Sequence, residues 1–562
     1  MSPSPSIGLV TINAKYVHVA LSLRYLRNAA RGAGFANVWL REFTLNTPLW
    51  KMAAEVSAQR PDVLGFSVYI WNRRETLALI ERLKKQHPAL TVVVGGPEVS
   101  FESGPPSPYV DVVIGGEGER KWTEFLALWS SGRAPDAATL ARWRTHGTDL
   151  PDLEQSPYLE EDLAGLQHRL VYLETSRGCP FKCSFCLSAL DEQVRFFPDA
   201  RVKADIARLV AAGARRVKFL DRTFNLRKAR VLDFFRYLAG FDGVQFHFEV
   251  VGDLLDDALA DFLDTVPPGR FQFEIGVQSA DPAVNARVER RQSQARLFAM
   301  IERLVKADRV HLHADLIWGL PGETLERIRA SFETVLALRP HELQLGFLKF
   351  LPGAPIRALI AEHGYVFQDD PPYELIAHRD LSAEQVLALK DFEEVFDAYY
   401  NSGHFRFTVQ RLQDTVSGWE IFSRLAERFA AGSLRFQSHG LDRLAALLLA
   451  CGRHWLPEAE LTDLLKLDYC YHHRARRVPD FLRGEPAKEP PRVRQARKSA
   501  PDAAIALFHH EIRWEGARPV LRPLPAPVWY AFGYPEQPGY FFRPEMSEVP
   551  GLEGAARRKA AP

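Results

Sequence analysis

Cysteine is scarce in this chain. Five residues occur among 562, an odd number spread too thinly for a disulfide framework, which points to a reducing, cytoplasmic setting. An excess of either charge is also missing: Lys plus Arg number 71 against 70 Asp plus Glu, a balance of +1, so nothing global selects a polyanionic partner. Long apolar runs are absent as well. The longest, Ala445 to Cys451 (AALLLAC), is far short of the roughly 20 residues that cross a bilayer, so no membrane partner is expected. The opening MSPSPSIGLV has no basic segment followed by an apolar one, so a secretory signal is not expected. What is present is ordinary globular composition, 46% apolar and 25% charged. It excludes disorder as the main state, and at about 150 residues per domain it predicts three or four domains.

Along the chain, short β-branched runs alternate with helical patterns. IGLVTIN, NVWLREF, DVLGFSVYI, TVVVGG and DVVIGGEGE read as strands separated by helices, which predicts a doubly wound parallel sheet over residues 1–131. Residues 132–167, rich in Gly, Pro and acids, read as a linker. A second series, VYLETS, RRVKFLD, VQFHFEVV, RFQFEIGVQS, VHLHADLIWGL and ELQLGFLKF, predicts a partial (βα)6 barrel over 168–370. The remainder, 371–562, reads as a mainly α-helical accessory domain with a Pro/Arg-rich segment and an irregular tail. The fold class is therefore α/β. Its ligands are expected where parallel strands end, which puts 176–186, 221–225, 251–253, 278–279, 319–323 and 351–355 on one barrel rim.

Three of the five cysteines fall within eight residues: TSRGCPFKCSFCLS carries Cys179, Cys183 and Cys186 in a CxxxCxxC spacing directly after a strand. Thiolates at these offsets can share one iron–sulfur cluster. A structural zinc site wants four ligands, and no fourth Cys or His lies nearby.

This segment resembles the signature of the radical S-adenosylmethionine (SAM) superfamily, and the likeness extends across the partial barrel to FEIGVQS (273–279) and DLIWGLPGET (315–324). It implies a [4Fe-4S] cluster on the three cysteines, with SAM bound at the iron that lacks a protein ligand and cleaved reductively to a 5′-deoxyadenosyl radical. It further implies that Phe185 and the 316–323 backbone, with Gly319, Pro321 and Gly322, flank the adenine. Gln278, Ser279 and Arg290 would meet the ribose or the methionine carboxylate. Without the cysteines, GLPGET would read simply as a strand-to-helix turn with a capping Thr. Asp221, on the rim, is expected to position substrate or SAM, or to cap the adjacent turn.

A doubly wound sheet directly before such a barrel resembles the cobalamin-dependent radical SAM enzymes. That resemblance implies a cobalamin site at Asn13, Ser67, Tyr69, Trp71, Gly95, Gly96, Pro97 and Glu117, drawing on GGPEVSF and GGEGE. No DxHxxG segment supplies an axial histidine, and His18 sits on the wrong element for that role, so the lower cobalt face would meet the loop with Trp71. A flavodoxin-like sheet with no cofactor is the competing reading. The absence of GxGxxG disfavours a dinucleotide, and Glu117 and Glu119 can equally cap the following helix. The C-terminal half resembles a subgroup with an appended domain of unknown function. DYCYHHRARR reads as structural rather than as a second metal site. The basic run of 471–500, with nine Lys or Arg against three Asp or Glu, reads as a solvated linker before an RNA contact. The expected activity is methyl transfer to an unactivated carbon, drawing on an external one-electron reductant. Radical oxidation, cyclisation or rearrangement, and a barrel with a cofactor-free docking sheet, are the alternatives. The substrate could be a small metabolite, a peptide or RNA.

Overall fold

The computed structural model describes residues 4–102, 104–191, 193–432, 440–473, 478–483, 490–500, 502–515, 518–534 and 545–549. The first unit contains β1 (Ile7–Asn13), α1 (Leu21–Gly32), β2 (Val38–Thr44), α2 (Leu49–Ala58), β3 (Val63–Ser67), α3 (Arg73–Gln86), β4 (Thr91–Gly95), β5 (Val112–Ile114), α4 (Glu119–Ser130) and α5 (Ala137–Arg144). Its five strands are all parallel in the order β2-β1-β3-β4-β5, so the direction of winding reverses between β1 and β3. Both faces of the sheet are covered, which is why the strands read as unbroken apolar runs. Val10, Ile12, Phe66 and Val94 pack towards α2 and α3, while Ile7, Leu9 and Val93 pack with Trp122, Phe125 and Trp143.

The segment expected to be a linker belongs in part to this unit. Asp136 caps α5 by accepting from the Thr139 amide at 2.8 Å, and Trp143 is 0% exposed in the core. The Gly115 amide donates to Trp143 O at 2.8 Å, fixing α5 against the end of β5. One buried tryptophan in a two-turn helix leaves little periodicity for a reading of the sequence to detect.

The second unit contains β6 (Leu170–Leu173), the two-residue strands β7 (Ser176–Arg177) and β8 (Arg195–Phe196), α6 (Asp199–Ala211), β9 (Arg216–Phe219), α7 (Lys228–Ala239), β10 (Gln245–Val250), α8 (Asp257–Leu263), β11 (Phe271–Gln278), α9 (Pro282–Arg287), α10 (Gln294–Ala307), β12 (His311–Trp318), α11 (Leu325–Ala337) and β13 (Glu342–Phe347). Six parallel strands lie in the order β13-β12-β11-β10-β9-β6, an open partial barrel. Alternate residues such as Phe246, Phe248, Phe271 and Phe273 pack outwards on the helices, with Phe235 of α7 stacked 5.5 Å from Phe273. The intervening positions face the lumen.

Beyond the barrel, helices at Ala383–Phe396, Arg406–Gln413, Gly418–Ala431, Leu441–Gly452 and Glu458–His472 extend the same core. Among the described residues no helix is long and apolar enough to cross a membrane. The described part of the tail is not irregular: Ala504–Glu515 and Arg518–Gly533 pair antiparallel, and Glu545–Glu548 joins them. Prolines 519, 523, 525 and 527 break its sequence signature. They are tolerated because, among the described residues, the third strand and Val549 pair only with residues 529–533, which leaves the proline-bearing part as an edge.

Candidate functional site

Two of the ties between the units run along one seam, where the loops after β1 and β5 meet the first barrel strand and its extension. In the first, the loop after β1 runs along the barrel edge. Leu170 donates its amide to Val17 O at 2.7 Å, His18 and Leu170 form a parallel bridge, and His18 Nδ1 lies 2.7 Å from the Tyr172 hydroxyl. His18 is therefore a seam residue. In the second tie, the Arg177 guanidinium reaches Glu117 at 2.6 Å and Glu119 at 2.8 Å in the first unit.

The cysteine loop leaves the barrel between these ties. Asp221, 1% exposed, accepts from the Thr175 amide at 2.8 Å, the Thr175 hydroxyl at 2.6 Å and the Ser176 hydroxyl at 2.7 Å. Three of its roughly four acceptor sites thus anchor the loop. Gly178, at φ +95°, lies where a Cβ would collide with Gln193 O, so the turn into Cys179 needs glycine. The Cys186 amide donates to Cys183 O at 3.0 Å, and the Ser184 amide to Val288 O at 2.9 Å. Cys179 and Cys183 are buried and Cys186 half-buried. Burial pushes the Cys183 thiol up. The Arg290 guanidinium, 3.8 Å from its sulfur, opposes that shift, and the neighbouring Cys186 and Cys179 add to it. The three thiols therefore sense one another's charge. Yet no three His, Cys, Asp or Glu side chains among the described residues are gathered tightly enough for a single metal ion. Three thiols carried on one short loop after a barrel strand suit a multi-iron cluster.

Beside the cysteines, Gln278 stands at φ +68° with its Oε1 buried and without a hydrogen-bond partner among the described residues. Arg290 donates to Gly276 O at 2.7 Å, and Phe185 packs half-buried on the core. These three remain able to meet a ligand such as SAM. Ser279 does not: 0% exposed, its hydroxyl is committed to Ser331 at 3.1 Å and Glu323 at 3.4 Å. The GLPGET turn is likewise occupied from within. Glu323 accepts from the Gly319 amide at 2.9 Å and the Leu320 amide at 3.3 Å. Burial pushes its carboxyl up to about 8 despite those bonds, and Thr324 caps α11. Gly319 O accepts from the Tyr365 hydroxyl at 3.0 Å and Pro321 O from Arg287 at 3.2 Å. Of Gly319, Pro321 and Gly322, only Gly322 is half-buried rather than buried. Glu323 was missed as an organiser because a glutamate in a turn reads as surface.

The lumen beneath the cysteines is lined with ionisable groups that the strand readings passed over. Glu274 meets His247 and Lys218 at 2.9 Å each. His313 lies 3.1 Å from Asp315 and 3.7 Å from Glu342. Burial opposes charge on His313, but the Asp315 carboxylate beside it, with Glu274 and Glu342 behind, raises it to about 9. The signal was present in the strict polar alternation of FHFE, FQFEIG and HLHAD, which marks one polar face in each strand.

In the first unit the β1/β3 reversal marks the ligand crevice of this strand order. The side chains there divide into two groups. Asn72 ties the loop by donating to Ile12 O at 3.0 Å and Ser67 O at 3.2 Å, and Asn13 donates to His18 O at 3.1 Å. Thr11 Oγ1 and Ser67 Oγ, one step beyond the Val10–Phe66 pair of the register, are buried with no hydrogen-bond partner among the described residues. Trp71 is stacked on Tyr69 at 4.5 Å, with its N–H given to Ile12 O at 3.2 Å. The residue nevertheless stays 45% exposed, unusual for a tryptophan. Orphaned hydroxyls beside an exposed aromatic residue fit a large ligand with a flat ring and polar arms.

The glycine loops fit it less directly. A Cβ on Gly96 would strike Val68 O, one on Gly95 would crowd Ile114 O, and one on Gly115 would strike Arg144 O. These glycines thus serve close packing of the chain on itself, leaving Pro97 exposed beside them. Glu117 is held by Arg177 and Arg195, not free for a cofactor. Farther off, Cys470 is buried and its thiol is pushed up to about 12 by burial. Much of the basic run, 474–477 and 484–489, lies outside the described residues.

Comparison with known families matches residues 7–126 to the B12 binding domain, 173–335 to the radical SAM superfamily, and 361–508 to a protein family of unknown function, DUF4080. The cobalamin-dependent radical SAM methyltransferase TokK of Streptomyces tokunonensis is 29% identical over 346 residues, 56% of this chain and 50% of that protein. The 2-(S-pantetheinyl)-carbapenam-3-carboxylate methyltransferase of Streptantibioticus cattleyicolor is 27% identical over 355 residues, 57% of this chain and 51% of that one. The chain thus spans about half the length of these curated relatives. Among solved structures, the radical SAM methyltransferase TsrM from Kitasatospora setae, with cobalamin and a [4Fe-4S] cluster bound, aligns with a TM-score of 0.53 at 18% identity, covering 66% of this chain and 78% of its own. The cobalamin-dependent SAM radical enzyme OxsB with aqua-cobalamin bound aligns at 0.57 and 13%, covering 83% and 80%. These two likenesses concern the fold. With a B12 binding domain joined to a radical SAM domain, whose cofactors are cobalamin, SAM and a [4Fe-4S] cluster, the chain belongs to the cobalamin-dependent radical SAM enzymes.

Proposed function

We propose that this chain cleaves SAM reductively and transfers a methyl group to an unactivated carbon of a substrate held in the barrel lumen. The observation that carries this reading is the seam. The three-thiol loop with the orphaned Gln278 Oε1, and the β1/β3 crevice with the open Trp71, each follow strand ends, in two units tied together at His18–Tyr172 and Arg177–Glu117. When bound, the cluster with SAM supplies a carbon-centred radical, and the corrin supplies the methyl group.

The chain's own residues do the rest. Cys179, Cys183 and Cys186 offer thiolate ligands. Arg290, against the Cys183 sulfur and Gly276 O, favours the thiolate by its charge and stands beside Gln278, whose free oxygen can accept from a SAM hydroxyl or amine. Lumen groups His313, Asp315, Glu274 and Lys218 present charge and hydrogen bonds to a polar substrate. An external one-electron carrier completes the scheme.

Anaerobic turnover with reductant and methyl-labelled SAM tests the reading. 5′-Deoxyadenosine together with S-adenosylhomocysteine is expected, whereas deoxyadenosine alone would replace methyl transfer by oxidation or rearrangement. The corrin part has its own check. An indole has no lone pair suited to cobalt, so the Co(II) protein should show no nitrogen superhyperfine splitting in its electron paramagnetic resonance spectrum. Trp71→His should introduce such splitting. Its presence in the unmodified protein would overturn the role given to Trp71.

A further inference from the structure

β7 and β8 form a two-residue antiparallel hairpin in which Arg177 and Arg195 are direct cross-strand partners. Like charges placed opposite each other in a ladder repel. Here both are partly buried, with side-chain exposures of 13% and 20%, so solvent screens them poorly. Two residues beyond Arg177 comes Cys179.

The charge between the two arginines comes from the other unit. Glu117, on the loop after β5, pairs with Arg177 through one oxygen at 2.6 Å and with Arg195 through the other. Arg177 is further held by Glu119 at 2.8 Å, by Glu174 of its own strand region at 3.1 Å, and by the Tyr25 ring of α1 at 4.7 Å. Arg195 also donates to Pro151 O at 3.1 Å. Of the carboxylates on the two arginines, Glu117 is the one that bridges them.

We infer that Glu117 is a positioning residue: by bridging the cross-strand pair Arg177–Arg195, it makes the geometry of the cysteine loop depend on the docking of the crevice-bearing sheet. With the sheet docked, the hairpin is neutralised and the turn through Gly178 holds Cys179 in place. With the sheet displaced, the two guanidiniums are left facing each other and the hairpin loosens at the first cysteine. Glu117 therefore reports the position of one cofactor domain to the ligand loop of the other.

The test is a double-mutant cycle on the full chain, read by amide hydrogen exchange at Ser176–Gly178 and Arg195–Phe196. That readout needs no cofactor, and so it can fail or succeed independently of the proposed reaction. Glu117→Gln should speed exchange there by about tenfold, because the repulsion is uncovered. Adding Arg195→Gln removes the second like charge and should bring exchange back to within about threefold of the unmodified chain. A merely structural hydrogen bond would make the two substitutions additive, with the double variant the fastest, and that result would overturn the inference. Should Glu117→Gln not fold alone, Arg195→Gln carries the cycle: adding Glu117→Gln to it should change exchange by less than about threefold, and a larger increase would overturn the inference. In reconstituted protein, loss of iron to a chelator should follow the same order.

Discussion

Replacing Cys179, Cys183 or Cys186 by alanine is expected to remove the cluster and all SAM cleavage, while Cys451→Ala and Cys470→Ala leave both intact. Each loop thiolate is one of three ligands, and two cannot hold four irons against solvent and chelator. Cys451 and Cys470 are buried in helices of the C-terminal region, with both thiols raised by burial, which disfavours the thiolate that binds metal. Iron and sulfide content after anaerobic reconstitution, with 5′-deoxyadenosine as product, measures both. Full iron in any of the three loop variants, or lost iron in Cys470→Ala, would refute the assignment.

Asp221→Ala should have the next largest effect, and on two levels. It strands the Thr175 amide and the hydroxyls of Thr175 and Ser176 without their acceptor. At ~1–3 kcal/mol for each buried unsatisfied group, partly relieved by water, the net loss is about 3–5 kcal/mol. Because the same residues open the cysteine loop, iron retention should fall with stability. Asp221→Asn keeps one acceptor oxygen and should cost about half as much. Denaturant unfolding of the cofactor-free chain separates the folding effect, and iron retention measures the effect on the loop. Unchanged unfolding and unchanged iron in Asp221→Ala would show that the carboxylate is not the anchor described.

Wherever chemistry or periodicity is local, the chain could be read directly. Three thiols in eight residues define a ligand loop wherever the loop is placed. Strands buried on both faces announced the parallel sheet, and phenylalanines alternating with His, Glu and Gln outlined the barrel. Glu117 shows where such reading ends. A glutamate after a glycine pair on a strand end looks like a cofactor contact, and nothing local reveals that Arg177 and Arg195, at separations of 60 and 78 residues, will claim it. Ser279 looked like a ribose contact until α11 placed Ser331 against it. Asp221 looked catalytic until its carboxylate proved to anchor Thr175 and Ser176. The linker and the tail were misread for local reasons: a two-turn helix with one buried tryptophan shows almost no period, and prolines mask the alternation of the antiparallel pair.

By itself the sequence determined the α/β class, the two parallel sheets in their order, and the cysteine loop, because side-chain alternation and ligand spacing are properties of neighbouring residues. Only the tertiary structure decided which polar groups remain free for a ligand and which are consumed in holding the fold. A hydrogen-bond donor or charge is satisfied by whatever lies within about 3 Å in space, and the seam partners named above are 58 to 154 residues apart.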